Sequence, residues 1–396
     1  MRVLYIDGVG VFGGACRSLY ENLEYLSKRN IDLFFIIQEG TIREYYSKFS
    51  NNIITSIGLT RFDNTQYSHY RGLRWLVLMR EIFYIPFTLI AMTRAKVLWK
   101  KVDLIHVNEI TEIFSLLIAK IFFRDSKVIV HCRSIYRKKE SSLRNRFIKF
   151  LINNNVDILI AIDKNVKKSL PKFSNTFVIN NSFSVDNNIE KRYKKSNILK
   201  IGYVGSISEM KGIYDLLEAL KIVKEKNKKF ELMIAGSQIH TNKFYLTSIL
   251  KKLNIQKGDT KEVTEIVKKF NLESEVLFLG QVKNISRFYQ KIDVLCFPSR
   301  LNAPGRPIIE ASYFKKPSIA CISEPYEDTF INHRTGIAVN PAKPNELADA
   351  ILFSIDNKKE LIKMGENAYK NYKRYNDPEQ NSRRIYNLYK KLILKA

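Results

Sequence analysis

The sequence predicts an α/β chain made of two similar halves, each a parallel sheet with helices between its strands. Three observations carry this reading. Short β-branched runs alternate with longer helical patterns, as in βαβ units. The runs are almost continuously apolar, which suits strands covered on both faces. In each half the opening strand leads through a glycine-rich loop into a helix. The chain has 396 residues, 45% of them hydrophobic and 12% aromatic. That is ample for two packed domains and argues against a disordered chain.

In the first half the strand candidates are RVLYI (2–6), DLFFII (32–37), IITS (53–56), DLIHV (103–107), KVIVH (127–131) and DILIAI (157–162). A polar segment, Asp186 to Asn197, then reads as a linker, although a solvated helix end would look the same. The alternation resumes with IGYVG (201–205), FELMIA (230–235), VLFL (276–279), IDVLCFP (292–298), PSIAC (317–321) and IAV (337–339). Ile213, Leu216, Leu217, Leu220 and Val223 keep helical spacing on one face. The last segment, Asp377 to Leu394, reads as an amphipathic helix with Ile385, Leu388, Tyr389 and Leu392 along one stripe. The expected divisions are therefore 1–190, 191–376 and a C-terminal helix over 377–396 that packs back toward the first domain.

Composition narrows the function. Sixty-six Lys and Arg face 39 Asp and Glu, a net charge of +27, which implies an anionic partner. Residues 1–200 carry 33 basic and 17 acidic side chains, and 61–150 alone carry 18 and 7. The second stretch also holds Tyr67, Tyr70, Trp75, Phe83, Tyr84 and Phe87. Mixed basic and aromatic surface suits an anionic membrane, although a lysine-rich chain with ordinary amphipathic helices reads the same. No nucleic-acid recognition motif is visible. Cys16, Cys132, Cys296 and Cys321 form no C-x-x-C pair, which fits a reducing compartment. The opening residues read as a strand rather than a secretory leader. The longest apolar run, Ile82 to Met92, has eleven residues and contains Pro86, too short for the roughly 20 that span a bilayer. The expectation is a soluble or peripheral protein. His69, His106, His131, His240 and His333 are scattered and no Asp-x-Asp occurs, so no metal site is expected.

The first loop, Gly8-Val9-Gly10-Val11-Phe12-Gly13-Gly14, is a literal G-x-G-x-x-G between strand and helix. Glycines let a backbone approach a phosphate, and a helix N-terminus offers free N–H groups and a positive dipole end. A dinucleotide reading also needs an acid about 20 residues on. Glu39, 26 past Gly13, is a loose match, and a tight glycine-rich turn remains the bland alternative. The second loop runs Gly205-Ser206-Ile207-Ser208-Glu209-Met210-Lys211-Gly212. A lysine at a helix start opposes the dipole, which points either to a bound anion or to a side chain that snorkels outward.

Residues 297–311, FPSRLNAPGRPIIEA, follow a strand and precede a helix. Here the chain resembles the retaining family 4 glycosyltransferases, whose pattern is P-S-x-x-E-x-F-G-x-x-x-x-E-A. Pro298, Ser299, Gly305, Glu310 and Ala311 match, and Asn302 stands at the first glutamate. Further family-like pieces occur in order: Gly13-Gly14, His131, Asn180-Asn181, Gly205 with Lys211-Gly212, and Thr335-Gly336. The resemblance implies a GT-B fold, two Rossmann-like domains with parallel sheets facing across a cleft. It implies an acceptor-binding first domain and a nucleotide-sugar-binding second one.

It also implies a hexosyl- or related glycosyltransferase, retaining and metal-independent, that takes a UDP- or GDP-linked sugar to a glycan or lipid-linked acceptor in cell-surface polysaccharide biosynthesis. The nucleotide sugar is a substrate and no cofactor is implied. The implied catalytic residues are His131, Lys211 and Asn302. The implied donor-binding residues are Gly13, Gly14, Ser206, Lys211, Gly305, Arg306, Pro307, Ile308 and Glu310. Chemically, a carboxylate such as Glu310 accepts both ribose hydroxyls, and Lys211 with the backbone of 305–308 serves the diphosphate.

A histidine at a strand end such as His131 is also often just a satisfied, half-buried side chain, and a lone glutamate is usually solvated. The chain departs from the pattern at Ser206, where the family has arginine, so Arg306, Arg300 or Arg133 would replace a diphosphate contact. It departs again at Asn302 and at ISEPYE (322–327), where a glycine-rich loop is absent. The rival readings are a nonhydrolysing sugar-nucleotide epimerase and an NAD-dependent oxidoreductase using the Gly8-Gly10-Gly13 loop. A cytoplasmic protein, peripheral on the inner face of the plasma membrane, is the expected location.

Overall fold

The structure is a computed structural model. It describes residues 1–66, 70, 75–137, 142–185, 198–236 and 260–394. The expected linker, Asp186 to Asn197, lies outside the described residues, as do Tyr67, His69 and His240. The chain forms two compact units, Met1–Ser184 with Asn376–Ala396, and Val185–Tyr375.

Unit 1 runs β1 (Arg2–Asp7), α1 (Gly14–Leu26), β2 (Asp32–Gln38), α2 (Ile42–Tyr46), β3 (Ile53–Ser56), α3 (Val77–Trp99), β4 (Leu104–Val107), α4 (Ile113–Phe122), β5 (Lys127–Cys132), α5 (Leu143–Asn155), β6 (Ile158–Ala161), α6 (Lys164–Ser169) and β7 (Thr176–Val178). Its seven strands are all parallel in the order β3-β2-β1-β4-β5-β6-β7. Side chains of β1 alternate between two cores because successive residues of a strand face opposite ways. Leu4 and Ile6 join the core under α3, α4 and α5, while Val3 and Tyr5 join the one under α1.

Unit 2 runs β8 (Leu199–Val204), α7 (Ile213–Glu225), β9 (Phe230–Ala235), α8 (Thr260–Lys269), β10 (Val276–Gly280), α9 (Ile285–Lys291), β11 (Val294–Phe297), α10 (Arg306–Tyr313), β12 (Ser318–Cys321), β13 (Gly336–Val339), α11 (Pro344–Asp356) and α12 (Lys358–Tyr375). Its strands are also parallel, in the order β10-β9-β8-β11-β12-β13. The five helical positions anticipated from Ile213 to Val223 are the buried stripe of α7.

The last helix, α13 (Pro378–Ile393), belongs to unit 1. Asp377 caps it by accepting from the N–H groups of Glu379 and Gln380, and Pro378 occupies its first turn, where a missing N–H costs nothing. Its buried Ile385, Leu388 and Tyr389 join the α1 core, and the Tyr389 hydroxyl lies 2.8 Å from that of Tyr5.

Two sequence expectations need correction. The three-residue β7 escaped notice because its side chains are only partly buried and carry no apolar run. More consequentially, the eleven-residue count understated α3, a 23-residue helix with a window of mean hydropathy 1.3. By length and composition it is sufficient to cross a membrane. The count stopped at Glu81, but that residue is buried and its carboxylate accepts from the Arg61 N–H at 2.9 Å and pairs with Arg80. The helix continues straight through it.

Candidate functional site

In open parallel sheets, ligands bind beyond the carboxyl ends of the strands where the strand order reverses. In unit 2 that point lies between β8 and β11. The loops that leave these strands touch. The Arg300 N–H donates to the Met210 carbonyl at 3.1 Å, and the Ser299 hydroxyl donates to the same oxygen at 3.4 Å. Gly212 sits at φ 73°, and a Cβ there would lie 1.8 Å from the Pro298 carbonyl oxygen. Only glycine permits this approach.

Lys211 ends a short 3₁₀ turn, Glu209–Lys211, ahead of α7. Its ammonium has no hydrogen bond or ion pair among the described residues, and burial pulls its pKa below the usual lysine range. Sequence spacing would pair it with Asp215, one helical turn on. Arg300 takes that carboxylate instead. Its Nε and Nη2 donate to Asp215 at 2.8 and 2.6 Å, and its Nη1 to Glu209 at 2.7 Å. The bidentate bond to Asp215 is the main reason the guanidinium is held more basic than usual. Arg300 therefore occupies both acids beside Lys211 and leaves that cation uncompensated.

The β11 loop ends at Gly305, the N-cap of α10, where no side chain satisfies the first N–H groups and Pro307 stands in the first turn. A Cβ on Gly305 would come within 2.3 Å of the Phe297 ring. The Ile308 N–H turns back to the Gly305 carbonyl at 3.1 Å. One turn on, Glu310 is buried. Its Oε1 accepts from Arg306 Nε and its Oε2 from the Tyr289 hydroxyl, each at 2.9 Å. The Pro307 carbonyl also accepts from that hydroxyl, at 3.3 Å. Each carboxylate oxygen keeps one further acceptor position. Asn302, exposed at φ 48°, uses its Oδ1 to accept from the Ser323 N–H at 2.8 Å. Its Nδ2 has no partner among the described residues. The Ser206 carbonyl accepts from the Tyr203 hydroxyl at 2.8 Å.

Unit 1 has its own reversal between β1 and β4. Beneath the first glycine loop lie two buried carboxyls, Asp7 and Glu112, both held above the usual carboxylate range by burial. Asp7 accepts from the Tyr46 hydroxyl at 2.8 Å and Asn108 Nδ2 at 2.7 Å; Glu112 accepts from the Gly8 N–H. A Cβ at Gly8 would lie 2.9 Å from Glu112 Oε1, and one at Gly10 would lie 2.4 Å from the Glu39 carbonyl oxygen. The approach to the Glu39 backbone thus requires glycine at position 10, whereas at Gly8 the Glu112 side chain would have to shift. Around Gly14 nothing lies within 4 Å of a Cβ position. No internal contact explains the absence of a side chain there.

His131 is 1% exposed. Its ring stacks on His106 with centroids 5.6 Å apart, its Nδ1 lies 3.4 Å from Arg133 Nη2, and its Nε2 has no partner among the described residues. Burial and the Arg133 charge push its pKa well below normal, and His106 is pulled down to about 3. Both imidazoles are neutral at pH 7. Arg133 is committed within unit 1 to Asn108, at 2.9 Å, and Asn181, at 2.7 Å.

The structure gathers Ser206, Lys211, Asn302, Gly305, Arg306, Pro307, Ile308 and Glu310 at the same sheet end of unit 2, and it keeps Gly13, Gly14 and His131 in unit 1. Sequence reasoning missed Tyr289, because nothing in the 21-residue spacing to Glu310 marks the pair. It also missed that Arg300 is spent on Asp215 and Glu209.

Two all-parallel, Rossmann-like α/β units make up the GT-B architecture, and at the strand reversal of the second stands a lysine with no partner among the described residues. Residues 184–371 match the family described as Glycosyl transferases group 1. The capsular polysaccharide biosynthesis glycosyltransferase CapM of Staphylococcus aureus is 28% identical over 172 residues, 43% of this chain and 40% of that protein. An uncharacterized glycosyltransferase of Methanocaldococcus jannaschii is 24% identical over 232 residues, 58% of each chain. The match thus spans about two fifths to three fifths of these curated relatives. Among solved structures, Anabaena HepE in complex with UDP superposes with a TM-score of 0.72 at 20% identity, over 98% of this chain and 99% of that one. Its complex with UDP-glucose gives 0.70 over the same shares, also at 20% identity.

Proposed function

We propose that the chain transfers a sugar from a nucleotide-sugar donor to a glycan or lipid-linked acceptor in cell-surface polysaccharide biosynthesis, with retention and without a metal ion. The observation that carries this reading is Lys211, a half-buried ammonium whose neighbouring acids are both held by Arg300. The complexes of HepE make a UDP-linked donor the first choice, and the match to CapM makes a capsule-type glycan the first acceptor to test.

In this reading Lys211 and the positive dipole end of α10 stabilise the departing diphosphate, where negative charge grows in the transition state. Glu310 orients the ribose with the oxygen capacity that Tyr289 and Arg306 leave. Arg306, the first residue of α10, holds Glu310 in place through its Nε. Asn302 meets the sugar through Nδ2, a donor, which suits a modified sugar carrying an acceptor group. His131 enters as a neutral imidazole, with Nε2 as its unused atom.

The test is a thermal-shift screen of UDP- and GDP-sugars and NADH, followed by transfer assays in excess EDTA. A specific nucleotide sugar should raise Tm, and transfer should survive the chelator. Stabilisation by NADH alone, or interconversion of the nucleotide sugar without an acceptor, would replace this reading with the oxidoreductase or the epimerase.

A further inference from the structure

Helix α3 packs through Glu81, Thr88, Met92, Ala95 and Trp99, which recur on one face and are buried in unit 1. A core helix of a globular domain normally turns polar residues outward. This one does not. Met79, Phe83 and Ile90 fall on the face opposite the buried stripe and are 65%, 60% and 57% exposed. Helix α5 repeats the pattern, with Phe147 and Phe150 at 49% and 62%. The two helices flank α4, and Arg144 of α5 reaches the ring of Trp75, just before α3, at 5.9 Å to its centroid. Exposed apolar area on this scale marks an interaction surface.

Its charge says which kind. The single acid within α3 is the buried Glu81, and α4 and α5 contain none. Around the apolar side chains stand exposed Arg80, Arg94, Lys96, Arg146 and Lys149. A protein partner of ordinary composition would not call for one sign of charge over three helices. A bilayer with anionic headgroups calls for this pairing of long apolar side chains and a basic surround.

We infer that the surface formed by α3 and α5 seats the protein in the interface of an anionic bilayer, lying in the plane of the membrane. Spanning is disfavoured because it would strip Met92, Ala95 and Trp99 from their core and carry the Glu81–Arg80 pair into hydrocarbon. The inference does not depend on the sugar-transfer reading, since the surface lies wholly in unit 1.

The full-length chain is mixed with vesicles of phosphatidylcholine, or of phosphatidylcholine with phosphatidylglycerol, and binding is read by sedimentation and by Trp75 fluorescence. The wild type should partition onto the anionic vesicles with a blue shift. Raised salt should weaken binding without abolishing it, because only the charge contribution is screened. The variant Met79→Ser/Phe83→Ser/Ile90→Ser should lose at least about tenfold in partitioning, the scale of removing large apolar side chains from a buried setting. The α5 variant Phe147→Ser/Phe150→Ser, whose sites are also exposed, should fall in the same direction. Lys211→Ala should bind vesicles like the wild type, which separates this inference from the donor site. Three results would overturn it: vesicle binding unchanged in both apolar variants, a dimer in solution that the α3 variant converts to monomer, or binding that resists alkaline carbonate as a spanning helix does.

Discussion

The two glycine loops occupy equivalent places, each after the first strand of a parallel sheet at the point where strand order reverses. Their surroundings differ in chemistry. The loop of unit 1 rests on Asp7 and Glu112, buried carboxyls that burial keeps protonated beyond their usual range. The loop of unit 2 ends in Lys211, a cation without a counter-ion among the described residues, and the carboxylates of Glu209 and Asp215 are spent on Arg300. An anionic diphosphate suits the second environment and is repelled by the first once its acids ionise. Topology offers a crevice in both halves, and side-chain chemistry decides what enters.

The largest effect expected from this contrast is at Lys211 and Glu310. Lys211→Ala and Glu310→Ala should each cost about 2–3 kcal/mol in kcat/KM for the donor, the range for charge-assisted contacts that strengthen in the transition state. Unaltered kcat/KM with the identified donor would remove the site from unit 2.

Arg300 sharpens the comparison next. In Arg300→Met, Asp215 and Glu209 turn toward Lys211, and UDP affinity should fall about fivefold, the scale of ~1 kcal/mol for a partly exposed ion pair. Adding Asp215→Asn should restore part of the loss, whereas a contact of Arg300 with the nucleotide itself would leave the double variant as weak as the single one.

Acidity is a subtler probe. Burial lowers the Lys211 pKa, so its charge is present below that pKa and is lost as pH rises through it. UDP affinity should therefore decline on the alkaline side at a lower pH than an ordinary lysine would give. Lys211→Arg should show no decline over the same range, because guanidinium does not titrate there. Parallel titrations of both proteins by calorimetry decide the matter.

The smallest effect belongs to Asn302. Glu in its place removes the Nδ2 donor and adds charge, and relative preference between plain and modified donor sugars should move about fivefold toward unmodified hexoses, the worth of one neutral hydrogen bond. A wild type that already prefers UDP-glucose and a variant with the same ranking would show that Asn302 serves only to hold Ser323.

Periodicity and apolar runs made the fold legible. The strands at 53–56 and 230–235 fall where the sequence places them, the first at a sheet edge with alternate residues buried and the second as a run buried on nearly every residue. Length counts failed at α3, where a buried and satisfied Glu81 looks like an interruption in one dimension and is none in three. That Lys211 and Glu310 lie at the strand-reversal end of unit 2 was legible through the pattern around them. The partners that decide their state were not, since Arg300 lies 85 residues from Asp215 and Tyr289 lies 21 from Glu310. Long-range ion pairs leave no trace in local spacing.

In the proposed donor site the nucleotide diphosphate binds at the unit 2 loop and not at the glycine loop of unit 1. Calorimetric titration of UDP into the full-length wild type, Lys211→Ala and Glu112→Gln tests it in one comparison. The expected result is saturable binding by the wild type, a loss of about thirtyfold or more in Lys211→Ala, and wild-type affinity in Glu112→Gln. Equal affinity in Lys211→Ala, with binding abolished in a folded Glu112→Gln, would contradict it.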